Sequence, residues 1–200
     1  MKSHPILFST PMVQAILAGR KTQTRRIVKP QPYQMEDGWW KFDGRRPKAK
    51  KATGMCMSTV APGEWPLFEY DCPYGQVGDQ LWVRETTVKI TPSNFNGGMR
   101  WLYRADIAVN KIDKLKLVPA IHMPRLASRI TLEITEVRVE CLQDISNEDC
   151  FNEGWEPEPI AQRIEGYLAR DWYIKLWGKI NGPDSWELNP WVWVIEFKKL

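Results

Sequence analysis

Between Arg129 and Cys141 the apolar residues change phase. Ile130, Leu132 and Ile134 alternate with polar neighbours, and then Val137, Val139 and Cys141 continue the alternation on the other parity. Successive side chains of a strand point to opposite faces, so a one-residue slip must be absorbed by a bulge or a sharp bend. The pattern predicts one long strand broken near Thr135-Glu136, the kind of bend with which small barrels turn corners. A second constraint comes from Trp191 to Phe197, which is apolar on both parities except at Glu196. That is the signature of a central strand covered on both faces.

Shorter signals place the other elements. Pro5–Phe8 reads as a strand. Ser9 or Thr10 caps a helix that carries Pro11 in its first turn, where the missing N–H costs nothing. Met12, Val13, Ile16 and Leu17 form its apolar stripe, and Gly19 is its left-handed stop. Thr22–Val28 reads as a strand ended by Pro30. Gln80–Ile90 and Arg100–Ala105 read as further strands, with a turn at residues 94–98 between them. Ser146 opens a short helix, with Asp149 as the acid of a capping box and Ile145 as a staple, and Gly154 ends it. A longer helix covers roughly residues 159–180, with Trp172, Tyr173, Leu176, Trp177 and Ile180 on one face. The sum is an α+β chain: a small mixed, mostly antiparallel β-barrel with two or three helices packed around it. The 200 residues suit a single domain over 1–200, and the Pro-, Gly- and Lys-rich stretch 29–77 reads as an insertion into it.

Composition narrows the function. Hydrophobic residues make up 43% and charged ones 26%, an ordinary globular balance. No apolar run is long enough to span a bilayer and no signal-peptide core opens the chain, so the expectation is a cytoplasmic protein without a membrane partner. Cys56, Cys72, Cys141 and Cys150 contain no CxxC pair and read as reduced thiols. Cys56, Cys72 and His122 do not have the spacing of a common zinc site, so neither a metal nor another cofactor is expected. The formal charge is +4, but the first 51 residues carry 12 Lys/Arg against 3 Asp/Glu. A cationic N-terminal quarter on an acidic body suggests an edge that meets a polyanion, or, for residues 41–51, a solvated loop. Trp39, Trp40 and Trp65 lie in loop-like sequence, where they would stack on bases or pin the loop to the body.

The densest polar cluster follows the first helix: Arg20-Lys21-Thr22-Gln23-Thr24-Arg25-Arg26. A helix C-terminus is stabilised by one or two cations, so this density points to a polar or phosphate-bearing ligand. The segment fits G-x-K-x-x-x-x-R with Gly19, Lys21 and Arg26 in the fixed places. Preceded by Ala-Ile-Leu and followed by a strand, it resembles the signature of ASCH domains, a branch of the PUA-like barrels. The order of later features agrees: Gly78-Asp79 before a strand, a long bent strand, a short helix ending in Glu153-Gly154, and a closing strand. The resemblance spans the chain apart from insertions at about 31–72 and 91–124, which resemble those of longer phage and prophage members.

The resemblance implies a cleft between barrel and helices, with RNA, a nucleoside or another nucleic-acid ligand as partner. The family includes a small bacterial N(4)-acetylcytidine amidohydrolase, whose site residues correspond to Lys21, Thr24 and Glu153. Physical chemistry accommodates that set. A hydroxyl needs a neighbouring base, and a lysine serves when burial or nearby cations (Arg20, Arg25 and Arg26) lower its pKa. A glutamate in a last helical turn lies at the negative end of the dipole and is placed to donate a proton to a leaving amine. Position 25 is Arg where the small relative has an apolar residue, which suggests a larger anionic ligand. Arg84, Arg104, His122, Arg125 and Arg129 are further candidates for phosphate contact, and Trp39 and Trp40 for base stacking. Four readings stay open: an amidohydrolase acting on acylated pyrimidine nucleosides, a non-catalytic binder of RNA or modified nucleic acid, a ribonuclease using the same cleft, and an assembly protein without a small ligand.

Overall fold

The computed structural model describes residues 1–34, 40–41, 72–90, 100–108, 116–156 and 167–200. In chain order the elements are β1 (Ser3–Leu7), α1 (Thr10–Leu17), β2 (Gln23–Ile27), β3 (Tyr33–Gln34), β4 (Trp40–Lys41), β5 (Gln80–Arg84), β6 (Thr87–Ile90), β7 (Arg100–Tyr103), β8 (Leu117–Val118), β9 (Thr131–Cys141), α2 (Asn147–Asn152), α3 (Tyr167–Asn181) and β10 (Trp191–Lys199). The main sheet has the order β1-β5-β9-β10-β2, parallel at β1–β5 and antiparallel elsewhere. A second sheet, β7-β6-β8, is antiparallel, and β3 pairs with β4.

The phase slip in β9 is a bulge. Glu196 faces Glu136 while Phe197 faces Ile134, which leaves Thr135 as the extra residue. The bulge helps to curl the sheet until its two edge strands approach: Arg26 Nη2 on β2 donates to Leu7 O on β1 at 2.8 Å. The described edges do not join by strand pairing, so the expected closed barrel is instead a curled, open sheet.

Trp191, Trp193, Ile195 and Phe197 of β10 enter a core with Ile6, Leu81, Leu132, Ile134 and the α1 residues Met12, Val13 and Ile16. Val192 and Val194 face the other way, into a core with Cys150 and Trp155 around α2 and with Tyr173 and Trp177 of α3. This two-sided burial is why β10 is apolar on both parities.

Local signals behave as the physics requires. Ser146 accepts from the Asp149 amide while Asp149 accepts from the Ser146 amide, a complete capping box. The expected strand Gln80–Ile90 is two strands in different sheets, with the break at Glu85-Thr86. Glu85 is buried there and takes Arg129 Nε at 2.9 Å, a partner from 44 residues away. The expected strand Arg100–Ala105 ends at Tyr103 and passes into a 3-10 turn. The helix expected from residue 159 is described from Tyr167; residues 157–166 lie outside the described set, as do most of the 31–72 insertion and parts of 91–124.

Candidate functional site

After α1 the chain turns through Gly19 at φ +76°, and the amides of Arg20 and Lys21 both donate to Ala15 O. The chain then runs against the end of α2. Lys21 forms an antiparallel bridge with Glu153, and the Thr22 amide donates to Asn152 O at 2.8 Å. Gly154 makes this approach possible. It sits at φ +102°, and a Cβ there would lie 3.0 Å from Ala15 Cβ and 3.2 Å from Lys21 Cβ.

The Lys21 side chain is fully buried in this junction. Its Nζ donates to Gln23 O at 2.7 Å, to Glu153 O at 2.9 Å and to Glu153 Oε2 at 2.5 Å. These bonds engage every proton of an ammonium group. Burial pulls the Lys21 pKa below its ordinary value; Glu153 opposes that shift, and Arg26 and Arg25 reinforce it.

β2 is an edge strand, and its hydrogen-bond parity exposes part of its backbone. The Phe197 amide donates to Thr22 O and the Val28 amide to Trp191 O, so the even residues of this stretch face β10. The odd residues face outward. Gln23 O is taken by Lys21, whereas the amide and carbonyl of Arg25 and Ile27 have no partner among the described residues. That free edge walls a cavity of about 410 Å³, closed on its other sides by Thr24, Glu153, Tyr74, and Tyr173 and Trp177 of α3. A volume of this size is in the range of small-ligand sites, about 300–1,000 Å³.

Several buried polar atoms on the cavity residues lack hydrogen-bond partners among the described residues: Glu153 Oε1, Arg25 Nε and Nη1, and Trp177 Nε1. Glu153 Oε1 and Arg25 Nη1 stand 3.9 Å apart, beyond hydrogen-bond reach. Arg25 Nη2 is held by Glu140 at 3.0 Å and Asp149 at 3.1 Å. Those acids belong to a wider network in which Arg138 meets Glu136, Glu140, Asp149 and Glu196. Thr24 is buried, lines the cavity and makes no side-chain hydrogen bond among the described residues. Burial, followed by the Glu153 carboxylate, pushes the Tyr173 hydroxyl well above its ordinary pKa, so it stays a donor.

Lys21, Thr24 and Glu153 therefore gather in one place, though not as a simple base–nucleophile–acid line. Glu153 touches Lys21 and shares the cavity with Thr24, while the Lys21 protons go to Gln23 and Glu153 and none to Thr24. Arg25 is interior and neutralised, where the sequence suggested a cation free for an anion. Arg26 lines the cavity. Arg20 pairs with Glu156 at 3.1 Å on the surface. Arg84 lies against Trp82 and donates to Ile121 O. Arg104 binds Ile107 O, and Arg125 lies over the Trp82 ring. His122 is exposed in a 3-10 turn. Arg129 is committed to Glu85 and Asp106 and packs over Tyr103. Trp39 and Trp65 lie outside the described residues, and Trp40 is on β4.

Sequence reasoning missed the free β2 edge and the roles of Tyr173 and Trp177. The aromatic pair reads as the core face of a helix, and only the placement of that helix opens part of the face to a cavity. Among the described residues, no group of three or more His, Cys, Asp or Glu side chains is arranged to hold a metal, and no helix is long and apolar enough to cross a membrane. No family model, curated protein or solved structure matches the chain.

Proposed function

We propose that the chain is an ASCH-type, PUA-like domain that takes a nucleoside or nucleotide base into the cavity at the β2 edge and hydrolyses the amide of an N-acylated, cytidine-type substrate. The observation that carries this reading is the set of buried polar atoms without a hydrogen bond among the described residues, all on residues that line one cavity: Glu153 Oε1, Arg25 Nε and Nη1, and Trp177 Nε1. Buried polar groups are ordinarily satisfied, so a cluster of orphans around a concavity calls for a polar ligand. The open edge at Arg25 and Ile27 adds amide donors and carbonyl acceptors in one line, which suits the hydrogen-bonding edge of a flat base.

In this reading Glu153 is the proton carrier. Its Oε1 accepts a proton from the attacking hydroxyl, that of Thr24 or of a water, and passes it to the nitrogen of the breaking C–N bond. Lys21 fixes the carboxylate through Oε2. The arginine N–H groups and the free edge amides face the oxygen on which negative charge develops. Incubation with N(4)-acetylcytidine, followed by chromatography of released cytidine, tests the proposal. Turnover that is abolished in Glu153→Gln supports it. No cytidine at high enzyme concentration removes the catalytic claim.

A binding module without catalysis is the second reading. It is favoured by one fact: the Lys21 protons are all engaged and do not reach Thr24. It predicts saturable, unhydrolysed nucleoside binding.

A further inference from the structure

A second cavity of about 560 Å³ adjoins the first and shares Met12, Arg26, Tyr74 and Ile180 with it. Arg26 and Arg84 both line this second space, with Ser9, Tyr74 and Thr86 as its other polar walls, and no carboxylate lines it among the described residues. Neither guanidinium makes an ion pair among the described residues. Each gives a hydrogen bond to one carbonyl, Arg26 to Leu7 O and Arg84 to Ile121 O. The planar fork of a guanidinium holds more donors than one carbonyl uses, and Arg84 Nε is buried with no hydrogen-bond partner among the described residues. The contrast with the first cavity is direct: Arg25 is neutralised by Glu140 and Asp149, whereas Arg26 and Arg84 lie over the Phe8 and Trp82 rings and have no carboxylate partner among the described residues.

We infer that the second cavity is a phosphate subsite, so that the ligand is a phosphorylated nucleotide whose base lies at the β2 edge and whose phosphate meets Arg26 and Arg84. The inference rests on the base-binding reading of the first cavity. Guanidinium forks suit phosphate oxygens through paired, charge-assisted bonds, and Ser9 and Thr86 add hydroxyl donors. The shared wall at Arg26 links the two spaces within one ligand. The phosphate belongs either to a free mononucleotide or to a nucleotide within a strand.

The test is titration of the full chain with cytidine, cytidine 5′-monophosphate, cytidine 3′-monophosphate, the dinucleotide CpC and inorganic pyrophosphate, for the wild type, Arg84→Gln and Arg84→Lys. One charge-assisted contact predicts that the better monophosphate binds at least about tenfold tighter than cytidine. Arg84→Gln lowers that ratio at least about threefold, with the remainder carried by Arg26, and Arg84→Lys restores much of the loss. The lysine variant separates loss of charge from loss of the bond to Ile121. CpC binding tighter than either monophosphate assigns the site to a strand, and equal affinities assign it to a free nucleotide; both uphold the subsite. A wild-type ratio near unity, or a ratio unaffected by Arg84→Gln, overturns it. If cytidine fails to bind while pyrophosphate still binds in an Arg84-dependent way, the phosphate subsite stands and the base-binding reading falls.

Discussion

Replacing Lys21 by Met removes the charge of the junction while keeping most of its volume. Three acceptors lose their donor: Gln23 O, Glu153 O and Glu153 Oε2. Glu153 is then a buried acid whose nearest cation is Arg25 Nη1, 3.9 Å away and not hydrogen-bonded. Breaking a buried pair by removing one partner costs about 3–5 kcal/mol. Arg25 moves the expectation toward the lower end, and the two orphaned carbonyls, at about 1 kcal/mol or more each, move it back. We therefore expect Lys21→Met to lose about 3–5 kcal/mol. For a chain of this size that lowers the melting temperature by roughly 6–20 °C. Urea unfolding should show a lower midpoint with an unchanged slope, the mark of lost stability without altered compactness. The double variant Lys21→Met/Glu153→Leu removes both charges and should recover a large part of the loss. A Lys21→Met penalty below about 1 kcal/mol, typical of a solvated surface pair, would refute the argument, because it would mean that water already screens the junction.

Two further outcomes follow from the same region. Burial pushes the Asp149 carboxyl up, but the Ser146 amide and hydroxyl and the Arg25 guanidinium outweigh it and hold the pKa below the ordinary carboxylate value. A depressed folded-state pKa contributes stability above the unfolded value of about 3.9, and that stability is lost as the pH falls through the folded value. The stability gap between wild type and Asp149→Asn, measured by denaturation at a series of pH values, should be constant near neutrality and close on acidification below about pH 4; a gap that widens there would contradict the assignment. Gly154→Ala forces a Cβ onto a left-handed backbone and to 3.0 Å from Ala15 Cβ. It should cost about 1–3 kcal/mol from the backbone alone, read by chemical denaturation, and a neutral result would mean that the α2–β2 contact is looser than described.

What the sequence made legible was local or periodic. The Ser146–Asp149 capping box needs only residues three apart, and the Thr135 bulge announces itself as a parity change. The apolar face of Tyr173 and Trp177 was equally plain, but its exposure to a cavity depends on where α3 lies against β2. The break at Glu85 was invisible because strand composition continues across it, and the buried acid is paired with Arg129 on a distant segment. Arg25 shows the same limit. In sequence it is one of a run of cations, and its interior position depends on Glu140 and Asp149, which arrive from β9 and α2. Lys21, Thr24 and Glu153 were named through a motif resemblance, whereas the ion pair and the free strand edge that join them are tertiary. The expectation of a closed barrel follows from the bend, from the mostly antiparallel strand order and from the family resemblance, and none of these obliges the edges of a sheet to meet.

β10 gives one set of side chains to each of the two apolar cores. Loosening either core withdraws support from the strand that the other also needs, so neither has an independent melting point. Heat or denaturant should take both apart in one sigmoidal step, with tryptophan fluorescence from Trp193 on one side and Trp177 on the other changing together.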